Sequence, residues 1–194
     1  MNLPNKLTVF RFICVPFLFA AALIPFRFHW AVTLIIYILA CLSDKADGII
    51  ARKRGLVTDF GKLMDPLSDK SLVTAAFLIL INLGWHTDIV IMIMMAREFL
   101  VAGMRMAAVN EGEVIAANGF GKAKTFLQMM STGLVFLFLA ILEKDGEIIV
   151  NARGFNAPDW LNIFCTVTFW ICGVVTLLSG LKYAKDGWHL IKTK

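Results

Sequence analysis

Six apolar runs separated by short polar breaks take up most of this chain, at roughly 7–26, 30–54, 60–83, 87–109, 118–143 and 159–185. Each is near the roughly 20 residues that an α-helix needs to cross the hydrocarbon of a bilayer. The breaks, at Pro25–His29, Gly55–Asp59, Gly84–Thr87, Asn110–Asn118 and Glu143–Pro158, carry the Pro, Gly, Asn and Asp residues that end helices. With 59% of its 194 residues hydrophobic and 17% charged, the chain is too apolar for a soluble domain of this length. The expected fold is therefore an all-α integral membrane protein of six transmembrane helices, one membrane domain over 1–194. Leu3, Leu7 and Phe10 recur at helical spacing ahead of the first span and predict a short N-terminal interfacial helix. The opening residues lack the basic start and small-residue cleavage site of a secretory signal, so the first span is expected to be retained.

Charge distribution gives the expected orientation. All 19 Lys and Arg residues except Arg27, Lys144 and Arg153 fall on one side of a six-span arrangement. The positive-inside rule makes that side cytoplasmic, with both termini on it. The formal net charge of +5 is accounted for by topology and by anionic lipid or phosphate, and no nucleic-acid partner is expected. Cys14, Cys41, Cys165 and Cys172 sit in apolar runs without ligand spacing and read as small buried hydrophobes. His29, His86 and His189 lie at span ends and read as interfacial anchors, beside Trp30, Trp85, Trp160 and Trp188 of an aromatic belt.

One stretch breaks the apolar pattern: SDKADGIIARKRGLVTDFGKLMDPLSDK, from Ser43 to Lys70. Asp44, Asp47, Gly48 and Ala51 stand at i, i+3, i+4 and i+7, one face of a helix end. Gly61, Asp65 and Asp69 stand at i, i+4 and i+8, one face of the next. Antiparallel packing through the Gly55–Asp59 turn brings the two faces together. An aspartate near mid-membrane costs about 2.5–3.5 kcal/mol on insertion scales, a figure lowered near the interface. Facing carboxylates also repel one another. A hard dication removes both penalties, and an oxygen-only donor set with no His or Cys nearby selects Mg²⁺ or Mn²⁺ over zinc. Gly48, Ala51 and Gly61 leave a small-residue floor, and Arg52 adds a fork suited to phosphate oxygens. Together these predict a site for phosphoryl transfer.

At these residues the chain resembles the CDP-alcohol phosphotransferase family. The family signature D-x-x-D-G-x-x-A-R followed by G-x-x-x-D-x-x-x-D is met at Asp44, Asp47, Gly48, Ala51 and Arg52, then at Gly61, Asp65 and Asp69. The resemblance implies a six-helix membrane enzyme, usually a homodimer, that transfers a phosphatidyl-type group from a CDP-linked donor to an alcohol. Carried over by position, Asp44, Asp47 and Asp65 hold two divalent ions, and Asp69 completes the set and acts as base. Gly48, Ala51 and Arg52, with Gly61, line the CDP site. The opening Asn2 to Thr8 with Arg11, the run Asp65 to Lys70, Arg97-Glu98 and Gly121 to Thr125 resemble the branch that uses glycerol 3-phosphate. Lys45-Ala46 and Ser68 depart from that branch's usual residues.

The resemblance thus implies CDP-diacylglycerol as donor, glycerol 3-phosphate as acceptor, and a bacterial-type inner membrane with the active site facing the cytoplasm. Direct displacement is favoured because Ser43, Ser68 and Ser71 have no basic partner near them in sequence. A phosphorylated acceptor needs cations, and Arg105, Lys122 and Lys124 are the candidates. Arg97, deeper in an apolar run next to Glu98, reads equally as substrate contact or as part of an internal ion pair between helices. Other acceptors remain open: phosphatidylglycerol, inositol phosphate or serine. A divalent-cation transporter is the remote alternative, disfavoured by Arg52, Lys62 and Lys70 beside the acids.

Overall fold

The structure is a computed structural model that describes residues 2–54, 59–83, 88–110, 119–143, 150–151, 154–155 and 159–186. Six helices follow the apolar runs: α1 (Leu3–Leu23), α2 (His29–Arg54), α3 (Asp59–Asn82), α4 (Asp88–Asn110), α5 (Gly119–Leu142) and α6 (Asp159–Asp186). The break before α6 holds one feature that the all-α expectation lacks. Two-residue strands β1 (Val150–Asn151) and β2 (Gly154–Phe155) pair antiparallel, with Val150 opposite Phe155. They adjoin the β-branched run Ile148–Val150, which favours extended backbone.

The predicted interfacial helix does not stand apart. Leu3, Leu7 and Phe10 lie in the opening turns of α1 itself, which runs unbroken through Leu23. Proline in the first turn explains the early start: Pro4 has no N–H to leave unsatisfied and its φ is already helical.

Three helical stretches, Leu3–Leu23, Lys124–Leu142 and Asn162–Tyr183, are long and apolar enough to cross a membrane on length and composition. α2, α3 and α4 have comparable length but carry the charged residues of interest. Many large apolar side chains face outward, while several charged and polar ones are buried. Phe17, Ile141 and Leu181 are 61–66% exposed, while Arg11, Asp47, Ser68, Lys124, Gln128 and Ser179 are buried. Such an apolar exterior is stable only against hydrocarbon. The protein is an all-helical integral membrane protein.

The chain forms two compact units. One is Met1–Gly84 with Thr132–Asn156; the other is Trp85–Ser131 with Ala157–Lys194. In the first, α1 packs along both α2 and α3. Its buried stripe recurs every three or four residues, at Asn5, Thr8, Arg11, Cys14, Leu18 and Ala21. The stripe is polar at its start and apolar beyond. At the far end, the Glu143 carboxylate accepts hydrogen bonds from the N–H groups of His29 (2.9 Å) and Trp30 (3.0 Å). A negative charge there satisfies amides that the first turn of α2 cannot satisfy itself, and it complements the helix dipole. Trp30 and Tyr37 on α2 both pack against Phe136, at ring-centroid distances of 6.2 and 5.3 Å.

In the second unit, α4 packs on α6. Gly173 and Gly180, seven residues apart, face Val90 and Arg97, also seven apart. A Cβ on either glycine would come within 2.8 Å of those side chains. Small residues here admit the close helix approach that substitutes for a hydrophobic driving force in lipid.

Glu143→Ala should lower the thermal unfolding midpoint of the detergent-solubilised protein. The loss corresponds to about 2 kcal/mol for a charged acceptor serving buried amides, with Glu143→Gln falling between. An unchanged midpoint in Glu143→Ala would remove the cap from this account.

Candidate active site

The acidic stretch occupies the last turns of α2 and the first turns of α3, and all four aspartates lie within those helices. α3 continues through Pro66, so the residues on either side of the proline keep helical spacing. Asp47 is buried, while Asp44, Asp65 and Asp69 are partly exposed.

What gathers the two acidic faces is α1. The Arg11 side chain is fully buried. Its Nη1 lies 2.9 Å from Asp44 Oδ1 and donates to Ser68 Oγ at 2.9 Å. Its Nη2 forms a charged hydrogen bond with Asp47 Oδ2. One turn earlier, the Thr8 hydroxyl reaches Asp65 Oδ1 at 2.5 Å, with the carbonyl of Pro4 at 3.2 Å as its other neighbour. Ser68 donates to the backbone carbonyl of Asp65 at 3.0 Å, which leaves its oxygen to accept from Arg11. Thr8 and Arg11 thus tie Asp65 and Ser68 of α3 to the same stripe of α1 that holds Asp44 and Asp47 of α2. The two acidic helix ends therefore both meet one polar stripe of α1.

Sequence reasoning counted Arg11 among the basic residues that report orientation, and Thr8 and Arg11 within the branch resemblance, but assigned neither a role at the acidic site. The available signal was the spacing of Asn5, Thr8 and Arg11, a polar face on an otherwise apolar helix. Gly61 is buried and Gly48 partly so, in keeping with a small-residue floor. The side chains of Ala51, Arg52, Arg105 and Lys122 lie outside the described residues, although their backbones belong to α2, α4 and α5. His86, His189, Trp85 and Trp188 also lie outside the described residues.

Whether the residues fit a divalent cation can be judged from charge and donor chemistry. Among the described residues, no three carboxylate, His or Cys side chains stand close enough to ligate one ion as they lie. The group that Asp44 and Asp47 share is the Arg11 guanidinium. One guanidinium balances only part of the charge of four carboxylates, and every side-chain donor in the group is oxygen. Excess negative charge on hard donors matches Mg²⁺ or Mn²⁺, and the set fits such an ion.

In the second unit, Lys124 is buried with its ammonium against Glu98 Oε1. Arg97 Nη1 is 3.8 Å from the same oxygen, a loose contact between neighbours on α4. The tighter partner of Arg97 is Ser179 on α6, which accepts from Nη2 at 2.7 Å; the guanidinium also lies 5.5 Å from the Tyr183 ring centroid. An interhelical ion pair is thus present, but its members are Glu98 of α4 and Lys124 of α5. The sequence could not reveal it, because residues 26 positions apart on different helices share no periodicity.

Comparison with known proteins agrees with the signature. Residues 1–178 match the family model described as CDP-alcohol phosphatidyltransferase. The chain is 33% identical to a CDP-diacylglycerol–glycerol-3-phosphate 3-phosphatidyltransferase of Bacillus subtilis, over 99% of this chain and 98% of that one. It is also 33% identical to a protein of the same name from Rickettsia felis, over 95% and 94%. A probable phosphatidylglycerophosphate synthase of Mycobacterium tuberculosis is 37% identical over 72% of this chain and 68% of its own length.

The Glu98–Lys124 pair gives an asymmetric expectation. Lys124 is 2% exposed and Glu98 is 22% exposed. Glu98→Ala deprives a buried ammonium of its carboxylate and should cost about 3–5 kcal/mol. Lys124→Met removes the buried charge itself and should cost less, because Glu98 keeps water. Unfolding midpoints of the two variants in one detergent test the order, and the reverse order would contradict the assigned burial.

Proposed function

The chain belongs to the CDP-alcohol phosphatidyltransferase family, and from that premise we propose that it transfers the phosphatidyl group of CDP-diacylglycerol to glycerol 3-phosphate, releasing CMP and phosphatidylglycerophosphate. The observation that carries this reading is near-full-length similarity to relatives named for that reaction, in a chain that holds every signature carboxylate.

Asp44, Asp47, Asp65 and Asp69 would hold the divalent cations, two in number by family resemblance. When bound, such cations neutralise the diphosphate and stabilise the departing CMP. Gly48, Ala51 and Gly61 let the nucleotide approach the helix backbones, and Arg52 contacts its phosphates. Asp69 takes the proton from the primary hydroxyl of the acceptor as that oxygen attacks the phosphorus nearest the diacylglycerol. The new P–O bond forms as the bond to CMP breaks, and CMP leaves with the electron pair. Arg105, Lys122 and Lys124 bind the acceptor's phosphate, with Lys124 held against Glu98 until that phosphate competes for it.

The six helices cross a bacterial-type inner membrane as one domain, with the acidic site and both termini on the cytoplasmic side. The distribution of Lys and Arg supports this orientation. Family resemblance supports a homodimer.

CMP release from CDP-diacylglycerol across glycerol 3-phosphate, phosphatidylglycerol, inositol phosphate and serine tests the assignment. Glycerol 3-phosphate should exceed the others by at least about tenfold. Chelation should abolish release, and Mn²⁺ or Mg²⁺ should restore it. Asp69→Asn should cut kcat by about a hundredfold or more, the usual share of a general base. Faster turnover with another acceptor would reassign the substrate, and an active Asp69→Asn would remove Asp69 from the chemistry.

A further inference from the structure

Arg11 takes no part in the steps above, yet it is a fully buried charge in the first unit. Burying a guanidinium costs several kcal/mol unless its partners compensate. Its partners come from two different helices: Asp44 and Asp47 on α2, Ser68 on α3. It uses one oxygen of each carboxylate, Asp44 Oδ1 and Asp47 Oδ2, and its Nε has no hydrogen-bond partner among the described residues. Thr8, on the same stripe of α1, engages Asp65. Three of the four aspartates thus take their orientation from α1.

We propose that Arg11, assisted by Thr8, is a positioning residue of the acidic site: it presents Asp44 and Asp47, in register with Asp65, to an incoming divalent cation. The inference rests on the metal-binding part of the function proposed above. Its physical basis has two parts. A guanidinium fork fixes the rotamers of both α2 carboxylates, as groups behind a metal ligand commonly do. It also offsets part of the mutual repulsion between the carboxylates before the cation enters. Ser68 extends the same link, accepting from Arg11 while it bonds to the backbone of Asp65. A serine where the branch usually carries another residue therefore has a place in this arrangement.

Titrating Mn²⁺ into the detergent-solubilised full chain without any lipid substrate, and reading free Mn²⁺ by its EPR signal, tests the proposal. Unfolding midpoints are taken in parallel in chelator. Arg11→Met should weaken Mn²⁺ binding by about ten- to a hundredfold, the range typical of lost support behind a ligand. Arg11→Lys keeps charge without the fork and should fall between. Thr8→Val, nearly isosteric, should weaken binding by a smaller factor while its midpoint stays near that of the wild type. If Arg11→Met does not fold, Arg11→Lys and Thr8→Val decide by the same criterion. A purely structural Arg11 would lower the midpoint and leave the Mn²⁺ constant of the folded variants unchanged; that result, or tighter binding, overturns the proposal. A wild type that binds no Mn²⁺ overturns the metal reading of the aspartates and this inference with it. A wild type that binds Mn²⁺ with Arg11→Met its equal overturns this inference alone.

Discussion

The structure turns on a single buried cation. Arg11 stands where the ends of α2 and α3 meet α1, and without it Asp44 and Asp47 would face each other with no countercharge among the described residues. Membrane-buried carboxylates are costly because hydrocarbon offers no water to solvate them. A chain that keeps Asp44 and Asp47 together must supply positive charge from its own residues, from ions, or from both. Arg11 provides the part that is built into the fold. It ties the geometry of the acidic site to the first helix, which carries no signature residue.

The same logic shapes the second unit. Lys124 and Ser179, both buried, pair with the half-buried Glu98 and Arg97 in a polar group between helices whose outer faces are apolar. Gly180 makes room for the Arg97 side chain, and Gly173 for Val90. Each unit buries some of its charged groups, Arg11 and Asp47 in the first and Lys124 in the second, while many large hydrophobic side chains face outward, as a bilayer allows. Burial of a charge then marks a residue with a partner or a task, since an unpaired one would be expelled toward the interface.

The helices were legible to within a few residues because breakers such as Pro25, Gly55, Gly84 and Asn118 punctuate the apolar runs. The alignment of Asp44 with Asp47, and of Asp65 with Asp69, followed from helical spacing alone. Arg11 was visible but misweighted: a cation near the start of an apolar helix reads as an orientation signal, and hydropathy does not say which face it occupies. The expectation that α2 and α3 bring the acids together lacked the mediator, since nothing local to Ser43–Lys70 points to α1. The Lys124–Glu98 pair was hidden for a related reason. Contacts between helices depend on which faces meet, and a membrane helix that is apolar all round gives little amphipathic contrast to reveal it.

The central claim is that the aspartates of two helix ends take up shared dications that grip the diphosphate of a CDP-linked lipid. Anomalous scattering from a crystal grown with Mn²⁺ and CDP-diacylglycerol addresses it most directly. The account predicts Mn²⁺ peaks between α2 and α3, ligated by Asp44, Asp47, Asp65 and Asp69 and in contact with the diphosphate oxygens. Peaks elsewhere, or a diphosphate bound without any Mn²⁺ on these carboxylates, would contradict it.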